Sequence, residues 1–178
     1  MKNPFLSGEK IYLRPLGLED GDFLCQGENN EQVRHSLFLA FPVSPSEERE
    51  KIQRYISSQD TILFTIALKE NDQPVGQTGF FRVDFVSRAA VFYLAILSPE
   101  HWGTGIGSEA TRLMVDYAFS TLNLNRIQLH VNAENLPAIK IYQRNGFQKE
   151  GVLRQAMYRS GKYNDFWVMG ILREDWLK

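Results

Sequence analysis

The chain has 178 residues, 43% hydrophobic and 23% charged, the make-up of one globular domain large enough to bury its own core. A formal net charge of -1 gives no global basic field for nucleic acid. The single cysteine, Cys25, excludes an intrachain disulfide and a cysteine-based metal cluster. It fits a reducing cytoplasm. No run approaches the roughly 18 apolar residues of a membrane helix, and residues 1–7 lead into no apolar core with a cleavage site. The expectation is a single cytoplasmic domain over 1–178 that binds no membrane, no nucleic acid and no metal.

In chain order, Lys10–Arg14 alternates polar and apolar and ends at Pro15, a first strand. Leu18 to about Glu28 reads as a helix presenting Phe23 and Leu24, with Gly21 and Gly27 counting against it. Residues 29–43 read as irregular, with Leu37, Phe38, Leu39 and Phe41 clustered. Ser44-Pro45-Ser46-Glu47 is a helix start with a capping box, and Ile52, Tyr55 and Ile56 form the inner stripe. Thr61–Leu68 and Pro74–Asp84 are strands joined by a turn at Asn71-Asp72, and a third begins at Ala90.

The apolar run Phe92–Leu97 then ends at Ser98-Pro99, and Gly103, Gly105 and Gly107 open a helix to about Ser120. A glycine loop at a helix start leaves unpaired N–H groups beside the positive end of the helix dipole, a site for phosphate. The helix crosses over to Asn125–Asn132, which makes the two strands parallel. Asn135 caps a short helix ending at Asn145-Gly146, and strands over 147–158 and 163–172 close the chain. The fold class is mixed α+β: an antiparallel meander, one strand–helix–strand crossover, then an antiparallel pair in one bent sheet with helices on both faces. Gly105 to Ala110 also satisfies G-x-G-x-x-A, but strands without crossover helices precede it, which disfavours a dinucleotide fold.

With Trp102-Gly103-Thr104-Gly105-Ile106-Gly107, then Asn132–Asn135 and Ile141–Phe147, the chain resembles the GNAT-superfamily N-acetyltransferases. The similarity is to the branch of the ribosomal-protein N-terminal acetyltransferases and spermidine acetyltransferase, and runs from Tyr12–Leu16 to Gly161–Asp165. It implies acetyl-coenzyme A as cosubstrate and acetyl transfer to a primary amine. The strand ending at Ala95, Ile96 and Leu97 would offer backbone groups to the pantetheine arm, and an N–H around Ile96 or Leu97 would hold the oxyanion. Backbone amides of Gly103, Thr104, Gly105, Ile106, Gly107 and Ser108 would hold the pyrophosphate. Trp102 stands where the family has glutamine or arginine. Asn135 would hydrogen-bond the cofactor. Lys140 and Arg144, one turn apart, either approach phosphate or form an exposed helical face. Tyr142 would donate to the departing thiolate.

The base stays open. Val91 stands where relatives often carry a glutamate, leaving His35, His101, His130, Asp84, Glu134 or water. So does the acceptor: a protein N-terminus, an amino sugar or another small amine. A polyamine needs carboxylates, yet Ser36–Pro42 is uncharged. Phe38 and Phe41 line an acceptor pocket or cover the sheet. A non-catalytic acyl-coenzyme A binding module is the alternative in a different class, and the last strand with Trp167 either fills the core or pairs with another subunit.

Overall fold

Beyond Val91 the third meander strand and the crossover strand part company, and the molecule is arranged around the resulting gap. The computed structural model describes residues 1–176; Leu177 and Lys178, the end of the expected 1–178 domain, lie outside the described residues. The strands are β1 (Leu6–Ser7), β2 (Ile11–Pro15), β3 (Ile62–Leu68), β4 (Pro74–Asp84), β5 (Ala89–Ile96), β6 (Arg126–Asn132), β7 (Gln148–Arg159) and β8 (Lys162–Leu172). They form one eight-stranded sheet in the order β1-β2-β3-β4-β5-β6-β8-β7. Every pairing is antiparallel except β5 with β6, which the crossover helix α4 (Ile106–Asp116) forces to be parallel.

That parallel pairing covers only Ala89↔Arg126 to Val91↔Gln128. β5 then continues on β4 as far as Gly76↔Ile96, while β6 continues on β8 as far as Asn132↔Phe166. A V-shaped gap opens between them toward their C-terminal ends.

Alternation along β5 feeds two cores. Phe92, with Leu94 and Ile96 beside it, packs with Ile106, Ala110 and Met114 of α4 and with Ile139 and Tyr142 of α5 (Leu136–Arg144). Ala95 and Leu97, with Tyr93, pack on the other face with Leu24 of α1 (Gly21–Asn29), Val33 of α2 (Glu31–Leu37) and Ile52 of α3 (Pro45–Ile56).

Gly27 belongs inside α1 because a Cβ there would stand 2.7 Å from the Leu97 Cβ; its absence lets α1 lie directly on β5. The start of α1 is tied to the sheet by Asp20, which accepts from Arg14 (2.9 Å) and from the Thr65 hydroxyl (2.7 Å).

Three differences from the sequence reading have physical causes. Residues 31–37 are helical because the Asn30 side chain accepts from the Gln32 and Val33 N–H groups, a local cap that outweighs the poor apolar spacing. Of the stripe expected in α3, Ile52 is buried and Tyr55 half-buried, but Ile56 is 51% exposed, past the end of the contact with the sheet. The crossover helix is α-helical only to Asp116 and widens into a π-turn over Tyr117–Thr121, which buries Tyr117, Ala118 and Phe119. Trp167 is half-buried against the core under the Lys149 ammonium, 3.8 Å from its ring centroid. No helix among the described residues is long and apolar enough to cross a membrane.

Candidate active site

The polar groups of β5 point alternately to β4 and to the gap, and one bond sets the phase. The Leu97 N–H donates to the Val75 carbonyl at 2.9 Å. In the same register Ala95 faces Gln77, so its N–H and C=O are also turned to β4. The Tyr93 carbonyl follows the pattern and accepts from the Thr78 hydroxyl at 2.8 Å. Leu94 and Ile96 therefore turn their main-chain groups into the gap, where β6 no longer pairs. This corrects the expectation for Ala95, whose main-chain groups are turned to β4, and for Leu97 as oxyanion donor, which is ruled out because its N–H is spent. The Ile96 N–H is the group left at that place, and Leu94 joins it. Sequence alternation alone missed Leu94, because the phase depends on which side of β5 is taken by β4, and that is set by pairing with a strand elsewhere in the chain.

The glycine loop begins where β5 ends. Trp102 donates its indole N–H to the Ile96 carbonyl at 2.9 Å, with the ring 43% exposed. Its one donor is therefore committed to the strand and is not available to a phosphate, in contrast to the glutamine or arginine expected there. Gly103 and Gly105 have φ of +76° and +93°, which brings the chain round into α4. The first helical bond is Glu109 N–H to the Gly105 carbonyl at 3.0 Å. Among the described residues, no main-chain amide from Gly103 to Ser108 has an acceptor within the chain. Six consecutive N–H groups at a helix start make a cradle whose chemistry suits an anion.

Two further groups brace this loop. Lys10, from the turn before β2, donates to the Thr104 carbonyl at 3.0 Å and places an ammonium beside the cradle. It borders a cavity of about 560 Å³ lined also by Lys69, His101 and Ile106. Asn145, at the end of α5, donates to the Ser108 hydroxyl at 3.2 Å and joins the two helices that flank the gap. Nothing in the sequence marks Lys10, since it meets the loop from 94 positions away.

Tyr142 lies edge-on to Phe92 and Phe147, with ring centroids 6.2 and 5.9 Å away. It is 9% exposed, and burial pushes its hydroxyl up to about 12. No hydrogen bond to that hydroxyl is present among the described residues, so it is a protonated donor without a partner. Asn135 caps α5 by accepting from the Ala138 N–H at 3.2 Å, which leaves its amide nitrogen as the free end. Lys140 and Arg144 are exposed on α5, and neither is ion-paired among the described residues.

On the other face, Tyr93 is half-buried against Phe81, and burial followed by the nearby Glu28 carboxylate pushes its hydroxyl up. Lys51 of α3 donates to both Glu28 oxygens at 2.7 and 2.8 Å and stands 2.7 Å from Glu48. Glu48 is fully buried and shifted up by desolvation. The contact with Lys51 is close but poorly aligned, and neither Glu48 oxygen has a well-formed hydrogen bond. The Gln77 amide nitrogen, beneath these helices on β4, is also buried without a partner.

A second cavity, of about 300 Å³, opens where β6 ends, between α2 and the β7–β8 hairpin. Phe38 lines it, packed on Phe166 with centroids 5.1 Å apart. Phe41 does not: it is 82% exposed to solvent. Two of the candidate bases are engaged elsewhere. Asp84 accepts from the Val86 and Ser87 N–H groups, and Glu134 is paired with Lys162 at 2.7 Å. Val91 supplies no carboxylate, His130 is exposed on β6, His35 borders the 300 Å³ cavity and His101 the other.

Comparison with known proteins gives a consistent result. The acetyltransferase (GNAT) domain family matches residues 10–148. The chain is 35% identical over 175 residues to the uncharacterized N-acetyltransferase p20 of Bacillus licheniformis, covering 94% of this chain and 96% of that one. It is 31% identical to the spermidine N(1)-acetyltransferase of Escherichia coli strain K12, covering 96% of this chain and 90% of the other. The structure of spermidine N-acetyltransferase from Vibrio cholerae in complex with CoA and spermine superposes with a TM-score of 0.89 at 29% identity. That match covers 96% of this chain and all of the other.

Proposed function

Because this chain belongs to the acetyltransferase (GNAT) domain family, we propose a division of labour among its residues in moving the acetyl group of acetyl-coenzyme A to an amine. The protein is an acetyl-coenzyme A-dependent N-acetyltransferase, and the acceptor is a primary amine. The reading is carried by the run of unpaired amides from Gly103 to Ser108, which is built for a pyrophosphate, with Lys10 adding positive charge beside it. Leu94 and Ile96 offer main-chain groups to the pantetheine arm as a neighbouring strand would, and Asn135 adds its free amide nitrogen.

With the cofactor so placed, the thioester lies in the gap between β5 and β6, where Tyr142 approaches from the α5 side. The amine nitrogen attacks the thioester carbonyl, the new C–N bond forms and the C–S bond breaks. The Ile96 N–H donates to the oxygen that gains charge. Tyr142 donates a hydrogen bond to the departing sulfur. A phenol held near 12 is a weaker acid than a thiol near 8.5. Complete transfer from Tyr142 is therefore uphill, and the proton that leaves the nitrogen, through water, is the one that finally neutralises the thiolate.

Calorimetry with acetyl-coenzyme A, followed by thiol release on adding a panel of amines, tests this reading. Binding and release of free coenzyme A are expected. Absence of binding at millimolar ligand would overturn it, and binding without release against any amine would leave the acyl-coenzyme A binding module in its place.

A further inference from the structure

The 300 Å³ cavity at the end of β6 has a charge balance opposite to the one a polycation needs. Four of its lining residues bear on charge: His35, Glu134, Arg159 and Lys162. The only carboxylate among them, Glu134, is held at both oxygens by Lys162, at 2.7 and 2.9 Å. Arg159 has no carboxylate partner among the described residues. Its guanidinium donates to the Leu39 carbonyl at 3.2 Å and stands 5.8 Å from the centre of the Phe38 ring. A backbone carbonyl and an aromatic face orient a guanidinium without neutralising it. The loop beside it, Ser36–Pro42, is uncharged.

The cavity is also placed to receive the far end of an acceptor. Asn132 and Asn135 line it, and Asn135 caps the helix that carries Tyr142 seven residues later. At 1.5 Å per residue that is about 10 Å, the reach of a small molecule or a dipeptide. Building on the acetyl-transfer reading, we propose that the acceptor is a primary amine whose own molecule carries an anionic group, a carboxylate or a phosphate, which Arg159 binds while the amine reaches the thioester. Arg159 is thus a specificity-determining residue. A polyamine would meet an uncompensated cation there and no free carboxylate.

Matched acceptor pairs test this, with thiol release at saturating acetyl-coenzyme A as the readout. The carboxylate arm compares the C-terminally amidated dipeptides Ala-Glu-amide and Ala-Gln-amide, the phosphate arm compares phosphoethanolamine with ethanolamine, and spermidine is the polycation arm. The anionic member of at least one pair is expected to have a kcat/KM ten-fold or more above its neutral partner, through KM, and above spermidine. The arm that shows the gain identifies the anion. Arg159→Gln should erase the preference while leaving calorimetric binding of acetyl-coenzyme A unchanged. Arg159→Lys, which keeps the charge, should retain most of it; this separates recognition from a structural role for the side chain. Spermidine as the better substrate, equal kcat/KM within both pairs, or a preference that survives Arg159→Gln would each overturn the proposal and leave acetyl transfer standing. Thiol release with none of the five amines, together with no acetyl-coenzyme A binding, would overturn both.

Discussion

The indole N–H of Trp102 donates to the main-chain carbonyl of Ile96 at 2.9 Å. The bond joins the last residue of β5 to the start of the glycine loop. It fixes how the unpaired amides of Gly103–Ser108 sit relative to the gap where Leu94 and Ile96 turn outward. The side chain at this position is therefore committed to the strand, and in the proposed reading anion binding falls to the backbone.

Trp102→Phe keeps an aromatic ring and removes the donor. With the ring 43% exposed, the lost bond should cost no more than about 1 kcal/mol of stability. The larger effect is expected on the cofactor: a several-fold rise in Kd for coenzyme A by calorimetry, with kcat at saturation nearly unchanged. An unchanged Kd would show that the loop holds its shape without this bond.

Gly105 has φ of +93° and initiates α4. Gly105→Ala places a Cβ on a left-handed residue at a cost of about 1–2 kcal/mol, while the space itself is open, the nearest atom being the Lys10 Nζ at 4.0 Å. Thermal unfolding should shift down by a few degrees, and coenzyme A affinity should fall by more than the stability change alone accounts for, because the amides that follow are re-aimed.

Lys10 supplies an ammonium beside the cradle through its bond to Thr104. Lys10→Gln preserves length and a donor but removes charge. Affinity for coenzyme A should fall several-fold, and its dependence on salt should become shallower, since exposed charge contacts are the ones that salt screens. Equal salt slopes for the two proteins would remove Lys10 from the site.

Tyr142→Phe should lower kcat by about 100-fold, the range for removing one positioned hydrogen-bond donor to developing charge, with little change in acetyl-coenzyme A affinity. The hydroxyl also predicts a stability effect at alkaline pH. Burial raises it from 10.0 to about 12, so below pH 10 it is neutral in folded and unfolded chain alike and its contribution is fully present. Between pH 10 and 12 the unfolded chain ionises first, and the native state loses on the order of 2–3 kcal/mol from this group. Denaturant unfolding of Tyr142→Phe should therefore fall less steeply over that window than the parent protein; parallel curves would contradict the buried phenol.

Lys51 lies between Glu28 and Glu48, the latter fully buried. Lys51→Met leaves two carboxylates together between α1 and α3. Because Lys51 is itself 26% exposed, the expected loss is about 2–3 kcal/mol, below the full cost of breaking a buried pair. Part of it should return on acidification, as Glu48 is already displaced upward by desolvation and protonates readily. A loss independent of pH would mean that the methionine fits badly and that charge is not the cause.

The order of strands and helices, the glycine loop and the position of Tyr142 were legible in the sequence because each rests on local chemistry. Apolar spacing sets helix and strand, Ser44 to Glu47 caps one helix, Asn135 caps another, and alternate glycines free a run of amides wherever the chain goes. The register of β4 on β5, where the parallel pairing with β6 stops, and the arrival of Lys10, Arg159 and Lys51 were decided only in three dimensions. Whether Ala95 or Leu94 faces the gap turns on which side of β5 is taken by β4, fixed by the Leu97–Val75 bond, and no spacing records that. Contacts such as Lys10 with Thr104 and Arg159 with Leu39, 94 and 120 positions apart, have no sequence signature, because what brings them together is the packing of two helical layers on one bent sheet.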